Sequence, residues 1–307
     1  MRVLITGMSG YVGGVIARRV AQLPEVEGVT GLDVNEPSFE LPANVRFARC
    51  DIRSREIAAL ASGHAAIVHA AYLVTWKSSM PARERDDIND RGVRNVAEAA
   101  LAADVKRFVH VSSLAAYDLV RPAPMPVTEN APLGQGDSPS PYVNGKAAAE
   151  RIVHEVLDGS PVAVTVLRPS FVTGPHDTVL VPSLRSGPYR FTRTDPRVQY
   201  LHEDDLAEAL VMALRGRLDG TYNVVPNDAL SRTEAFRVLG IEHVRYIPRP
   251  IAEAIAWYQW RWRGSPLHQS AIWQASGDFV ADNAQLRSAG WAPNHSSTDA
   301  LRAALAV

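Results

Sequence analysis

Through the first half of the chain, short apolar runs rich in β-branched residues alternate with longer stretches whose apolar positions recur every three to four residues. Such alternation predicts βαβ units feeding a parallel sheet. Strands are predicted at Arg2–Thr6, Gly28–Asp33, Val45–Ala48, Ala66–Ala70, Arg107–Val111 and Val162–Arg168, with Thr221–Val224 as a late addition. Helices are predicted near Gly13–Leu23, Ser54–Ala61, Arg85–Ala103 and Tyr142–Leu157. The third sets Val93, Val96, Ala97 and Ala100 on one face, a stripe suited to packing on the sheet.

Between Val120 and Pro141 the density of Pro, Ser, Gly and Asn predicts a long surface loop, placed like a lid beside the helix that follows. After Arg168 the pattern changes: Pro169, Pro175, Pro182, Pro188 and Pro196 interrupt any long element until a helix predicted at Asp204–Arg215. A smaller, irregular substrate-binding portion is expected to begin there. No internal repeat, heptad series or low-complexity segment is present.

Composition narrows the function class. The 307 residues are 46% hydrophobic and 21% charged, with a formal net charge of -1. That balance gives no electrostatic reason to expect a nucleic acid or a membrane surface as partner, so a small-molecule substrate is expected. The single cysteine, Cys50, forms neither an internal disulfide nor a thiolate cluster, and no metal site is expected. The apolar run Met1–Thr6 stops at Gly7, too short for a signal-peptide core, which leaves the cytoplasm as the expected location. The stretch Pro250–Trp262 contains Glu253, Gln259 and Arg261 and reads as an amphipathic helix, not a span. Its Trp257, Trp260 and Trp262 are candidates for a substrate or subunit contact.

Candidate chemistry starts directly after the first predicted strand, at Thr6-Gly7-Met8-Ser9-Gly10-Tyr11-Val12-Gly13. Glycines at this spacing allow a tight turn, close approach of backbone to a pyrophosphate, and tight packing of helix on sheet. The helix that follows offers unpaired N–H groups and its positive dipole end to phosphates. A glycine triplet alone is also consistent with a mere turn. Here Asp33 ends the second strand, 20 residues beyond Gly13. A carboxylate there accepts both ribose hydroxyls and repels a 2′-phosphate, favouring NAD over NADP, although a strand-end acid is also found simply solvated. Asp51-Ile52 after the third strand fits the adenine end, and His69-Ala70-Ala71 supplies small residues against a ribose, with His69 equally readable as a hydrogen-bonded strand-end residue. These features predict a Rossmann-type doubly wound parallel sheet over residues 1–167 plus 200–225, with residues 168–199 plus 226–307 as the substrate-binding portion.

Tyr142-Val143-Asn144-Gly145-Lys146 sets a phenol and an ammonium four residues apart, on one face of a helix. A tyrosine titrates near 10, but a nearby ammonium and a positive nicotinamide ring both stabilise the phenolate, which would let Tyr142 exchange a proton with a substrate hydroxyl. Ser113, at the end of the fifth predicted strand, would hydrogen-bond the same oxygen. Tyr–Lys pairs and strand-end serines are each common on their own. Glycine turn, acidic strand end, serine and YxxxK occur here in the order that brings all four to the C-terminal edge of one sheet.

With these motifs the sequence resembles the extended short-chain dehydrogenase/reductases, the NAD-dependent epimerase/dehydratase family. The matching segments include TGxxGxxG, Asn89–Val93, Ser112–Tyr117, YxxxK, Leu167-Arg168-Pro169 through Gly174-Pro175, His202–Ala207 and Asp282 through Pro293. The resemblance implies that Asn89 helps hold the active-site geometry, that Lys146 also binds the nicotinamide ribose, and that Arg168 and the residues after it help position nicotinamide and substrate. It further implies a homodimer through the helices at Arg85–Ala103 and Tyr142–Leu157. Sugar dehydratases similar to this family carry an Asp-Glu pair after the strand-end Ser/Thr, where this chain has Leu114-Ala115. Epimerases often have Asn where Phe171 stands, and the arginine expected four residues before His202 is Val198, with Arg197 beside it. Leu114, Phe171 and Arg197 are therefore candidate substrate contacts, and Arg185, Arg190 and Arg193 with Arg197 either form a diphosphate cradle or are solvated charges. Three readings follow: oxidation of a secondary alcohol or reduction of its ketone, epimerisation with retained NAD, and a non-catalytic dinucleotide sensor, the last disfavoured by the presence of both Tyr142 and Lys146.

Overall fold

The computed structural model describes residues 1–119, 124–265 and 268–306. In chain order its first half comprises β1 (Arg2–Thr6), α1 (Tyr11–Ala21), β2 (Gly28–Asp33), β3 (Val45–Arg49), α2 (Ile57–Ala61), β4 (Ala66–His69), α3 (Ala82–Asp86), α4 (Gly92–Ala102), β5 (Arg107–Val111) and α5 (Pro141–Leu157). The second half adds β6 (Ala163–Pro169), β7 (Phe171–Thr173), α6 (Leu180–Ser186), β8 (Tyr189–Arg190), β9 (Arg197–Val198), β10 (Tyr200–His202), α7 (Glu203–Leu214) and β11 (Gly220–Val224). β12 (Leu230–Ser231), α8 (Arg232–Val238), β13 (Arg245–Tyr246), α9 (Arg249–Trp262), α10 (Ser270–Gln274), α11 (Ala284–Ser288) and α12 (Ser297–Ala303) follow.

Seven strands form one sheet in the order β11-β6-β5-β4-β1-β2-β3, every neighbouring pair parallel. The period-two side-chain alternation of a strand explains how one sequence run feeds two cores. Val3 and Ile5 of β1 face α1 and α7, meeting Ile16, Val20, Leu206 and Leu210. Leu4 points the other way, into a layer with Ile57 of α2, Val93 and Val96 of α4 and Val153 of α5. Because β2 and β4 flank β1 on opposite sides, the chain reverses its winding there, and a crevice opens beyond the C-terminal ends of β1 and β4. A third cluster, with Leu114, Val143, Tyr200, Phe236, Phe279 and Leu301, joins the C-terminal elements to that edge.

One predicted element differs, and another is held more firmly than its composition suggests. The helix expected over Arg85–Ala103 is three pieces: α3, a π-helical turn at Asp87–Arg91, and α4. The π turn adds a residue that re-aims Asn89 inward. The surface loop predicted at Val120–Pro141 is irregular and largely exposed over residues 124–140, with Val120–Ala123 outside the described residues, but it is pinned at points: Val127 bridges to Ala281 and is buried, as are Ser138 and Ser140. Asn144 accepts from the Ser138 N–H at 3.0 Å and donates back to its carbonyl at 2.9 Å, so the described part is anchored, not poised as a lid. No described helix is long and apolar enough to cross a membrane.

Candidate active site

The glycine turn owes its shape to sterics. Gly7 has φ +76°, and a Cβ there would stand 2.5 Å from the Ala71 nitrogen; at Gly13 it would stand 2.0 Å from the Gly7 carbonyl oxygen. Only glycine fits either place. Gly10, the α1 N-cap, is different: a Cβ would meet nothing nearer than 3.4 Å, so its bareness serves the crevice instead of internal packing. The first intrahelical bond runs from the Gly14 N–H to the Gly10 carbonyl, leaving Tyr11, Val12 and Gly13 as the uncapped first turn. No acidic residue lies in that turn, so its dipole is free for an anion.

The crevice has a volume of about 520 Å³ and is lined by Gly7, Gly10, Asp33, Asp51, Ile52, Ala70 and Ala71 among others. Asp33 accepts one backbone N–H on each carboxylate oxygen, from Ser9 at 3.1 Å and Asn35 at 3.0 Å, which fixes it and leaves each oxygen a further lone pair. The neighbouring cation, Arg49, is held by Glu36 at 2.9 Å. Asp51 lines the wall while bound by Arg53 at 2.7 Å, which draws its carboxyl below the usual range. These residues fit a dinucleotide with an unphosphorylated ribose: a bare helix start for the pyrophosphate and a pinned carboxylate for the hydroxyls.

Several expected contacts lie elsewhere. His69 is buried beneath the wall, hydrogen-bonded to Thr6 at 2.7 Å, stacked on His110 at 5.5 Å, and held neutral with its pKa pushed down to about 3 by burial. The Tyr11 hydroxyl turns from the crevice and donates to Glu203 at 2.6 Å; His176 takes the other oxygen of that buried carboxylate. Gly174 leaves room for Glu203, whose Cγ a Cβ would approach to 2.6 Å. Sequence reading missed this cluster tying α1, β7 and α7 together; its signal was an acid, Glu203, at a position the α7 pattern buries.

At the β5 end, Ser113 is extended and its hydroxyl oxygen accepts from the Ala115 N–H at 3.1 Å. Pro141 at the first position of α5 presets the helical φ, starting the helix one residue before Tyr142. Tyr142, Lys146 and Glu150 then form an i, i+4, i+8 row. The half-buried Tyr142 phenol interacts with the Ser113 hydroxyl, and its pKa is raised by burial, a rise that Ser113 partly offsets. The expected acidic phenol called for two cations, the ammonium and a bound nicotinamide ring, and in the protein by itself burial outweighs the first. Lys146 donates to the Val111 carbonyl at 3.1 Å, and its ammonium lies 6.0 Å from the Tyr142 ring centroid but 4.3 Å from that of Tyr72. Burial pulls its pKa down to about 8 against the pull of Glu150. Tyr72, unforeseen from the sequence, also meets Tyr142 edge-on at 5.6 Å, its hydroxyl over Gly145, where a Cβ would stand 2.1 Å away.

Asn89 reaches from the π turn to the crevice wall: its Oδ1 accepts from the Leu73 N–H at 2.8 Å. Arg168 is corrected from cofactor contact to core cation. It pairs with Glu150 at 2.5 Å and donates to the Tyr117 hydroxyl at 2.6 Å, and Ser112 donates to the same Glu150. Leu114 is fully buried in the third core cluster, and Arg197 is exposed, bonding the Ala229 carbonyl at 2.6 Å, so neither is placed as a substrate contact. Phe171 packs on Phe279 at 4.9 Å and Tyr200 at 6.4 Å. His202, Asp204 and His295 gather within 4.8 Å. The His202 Nδ1 already accepts from the Asp204 N–H, and the His295 Nδ1 faces Asp205 at 3.2 Å, so the group is an internal network.

The profile of the NAD dependent epimerase/dehydratase family matches residues 3–224. This chain belongs to that family. A UDP-glucose 4-epimerase of Mycolicibacterium smegmatis is 29% identical over 69% of this chain and 73% of its own length. A Xenopus laevis protein, short-chain dehydrogenase/reductase family 42E member 1, is 26% identical over 69% of this chain, which spans 58% of that relative. Among solved structures, the Bordetella bronchiseptica enzyme WbmG in complex with NAD shares the fold, with a TM-score of 0.77 at 23% identity over 100% of this chain and 93% of WbmG. Family membership and fold thus agree with the doubly wound sheet and its crevice.

Proposed function

We propose that this epimerase/dehydratase family protein is an NAD-dependent oxidoreductase that interconverts a secondary alcohol and its ketone. The observation that carries the reading is the α5 row against the crevice wall: Ser113 interacts with Tyr142, and Tyr72, a residue of that wall, meets the Tyr142 ring at 5.6 Å and lies 4.3 Å from the Lys146 ammonium. Bound NAD would supply the hydride acceptor, and NADH the donor, with the pyrophosphate on Gly10–Gly13 and the adenosine ribose on Asp33. Ser113 orients the substrate oxygen. Tyr142 takes the hydroxyl proton as the alcohol is oxidised, or returns it as the ketone is reduced. Lys146, neighbour to both tyrosines, favours the phenolate whenever it is charged. Asn89 holds the wall at Leu73, next to the Tyr72 that packs edge-on against Tyr142.

Epimerisation with retained NAD is the second reading, favoured by the identity to the UDP-glucose 4-epimerase. Against it stand the aromatic packing of Phe171 and the outward placement of Arg197, which leave that arginine out of a diphosphate cradle. Purified protein given NAD and a panel of secondary alcohols should form NADH, and Tyr142→Phe should cost about 10²–10⁴ in turnover while leaving NAD affinity near wild type. Cofactor that copurifies and never shows net reduction would favour the epimerase, and a fully active Tyr142→Phe would end both readings.

A further inference from the structure

Helix α9 presents apolar side chains on two opposite faces. Its inner face packs: Ala252 is buried, and the Trp260 Nε1–H donates to the Trp76 carbonyl at 3.0 Å. At the helical repeat, Ile251, Ile255, Tyr258 and Trp262 fall in a stripe on the opposite side. They are 54%, 44%, 53% and 62% exposed. With Trp257, α9 holds five of the nine exposed large hydrophobic residues among those described, so the stripe is a patch and not scatter.

Its charges choose the occupant. From Arg245 to Arg263 the chain carries four arginines and one acid, Glu253, which Arg249 already holds at 3.1 Å; the segment is net +3 in a chain of net -1. The Arg261 guanidinium lies 4.6 Å from the Trp262 ring centroid, at the edge of the stripe. A second copy laid on this face would set arginine against arginine. An anionic bilayer answers both features, because aliphatic and aromatic side chains sink below the headgroups while arginines meet lipid phosphates.

We propose that α9 docks the protein on an anionic lipid surface, with Ile251, Ile255, Tyr258 and Trp262 inserted and Arg261 and Arg263 at the headgroups. Ser78 donates to the Arg261 carbonyl at 3.2 Å, and Trp76 meets Trp260, so the docked helix adjoins the chain that continues from the crevice wall at Tyr72–Thr75. The proposal stands independently of the reaction assigned above. The test is co-sedimentation of the full chain with phosphatidylcholine vesicles with and without phosphatidylglycerol, alongside light scattering. Binding to the anionic vesicles alone is expected, weakening with salt. Arg261→Gln and Arg263→Gln should each lower it about fivefold, and Ile255→Glu with Tyr258→Glu should abolish it while circular dichroism and NAD affinity hold. No vesicle binding, binding untouched by these variants, or a dimer that they dissolve would each overturn it.

Discussion

Lys146 is the buried charge of the site whose cost to the fold can be tested most directly. Its side chain is buried, and its pKa falls from 10.5 to about 8, chiefly through lost hydration. A drop of about 2.5 units corresponds to about 3 kcal/mol, since one unit is about 1.4 kcal/mol. The folded pKa lies below the unfolded one, so this lysine destabilises the fold, in full below about pH 8 where it is charged in both states. Between about pH 8 and pH 10.5 the unfolded chain binds more protons than the native one, and the penalty is relieved as pH rises. Lys146→Met removes the charge at similar volume but strands the Val111 carbonyl, a loss of about 1 kcal/mol. At neutral pH the variant should therefore be about 2 kcal/mol more stable than wild type, and by about pH 10.5 slightly less stable. Urea unfolding of both proteins across this range isolates the term, because every other group titrates in both. A difference that stays flat with pH would refute the reasoning, as would a variant less stable throughout. Turnover of the stabilised variant should collapse under the proposed mechanism.

Other perturbations probe separate parts. Gly13→Ala, with its Cβ 2.0 Å from the Gly7 oxygen, should fail to form the turn, whereas Gly10→Ala should fold with an unchanged melting point and lose dinucleotide affinity; calorimetric titration with NAD compares them. Glu150→Gln leaves the Arg168 guanidinium buried without its counter-charge and should cost about 3–5 kcal/mol in chemical denaturation. Asn89→Ala should cost about 1–3 kcal/mol and speed amide exchange at Leu73.

The sheet was legible because buried parallel strands leave short, sharply bounded apolar runs: β1, β2 and β5 match their predicted limits, and the others shift by a residue or so. The glycine turn and the α5 row were legible for a similar reason, since each is set by local spacing. What escaped depends on contacts distant in sequence. The π turn at Asn89 exists to meet Leu73, and no periodicity within the helix announces it. Composition marked 120–141 as irregular, but irregular does not mean loose, and buried Ser138 and Ser140 hold it. Arg168 is expected at the cofactor from the family resemblance, and only the placing of Glu150 and Tyr117 around it shows a core cation.

One electrostatic effect is set by burial as much as by spacing, and it bears on direction. Spacing placed an ammonium a turn from Tyr142, and together with a bound nicotinamide ring it implied a depressed phenol pKa. In the protein by itself burial raises the phenol pKa, a rise that Ser113 partly offsets, while the Lys146 ammonium lies 4.3 Å from the Tyr72 ring centroid and 6.0 Å from that of Tyr142. Under the proposed reaction, a phenol raised above its ordinary pKa would keep its proton for delivery to a ketone oxygen. Alcohol oxidation then requires added positive charge at the crevice before Tyr142 can act as base. NAD affinity and alcohol turnover should consequently be coupled more tightly than NADH affinity and ketone turnover, an asymmetry that arises from burying Tyr142 and Lys146 together.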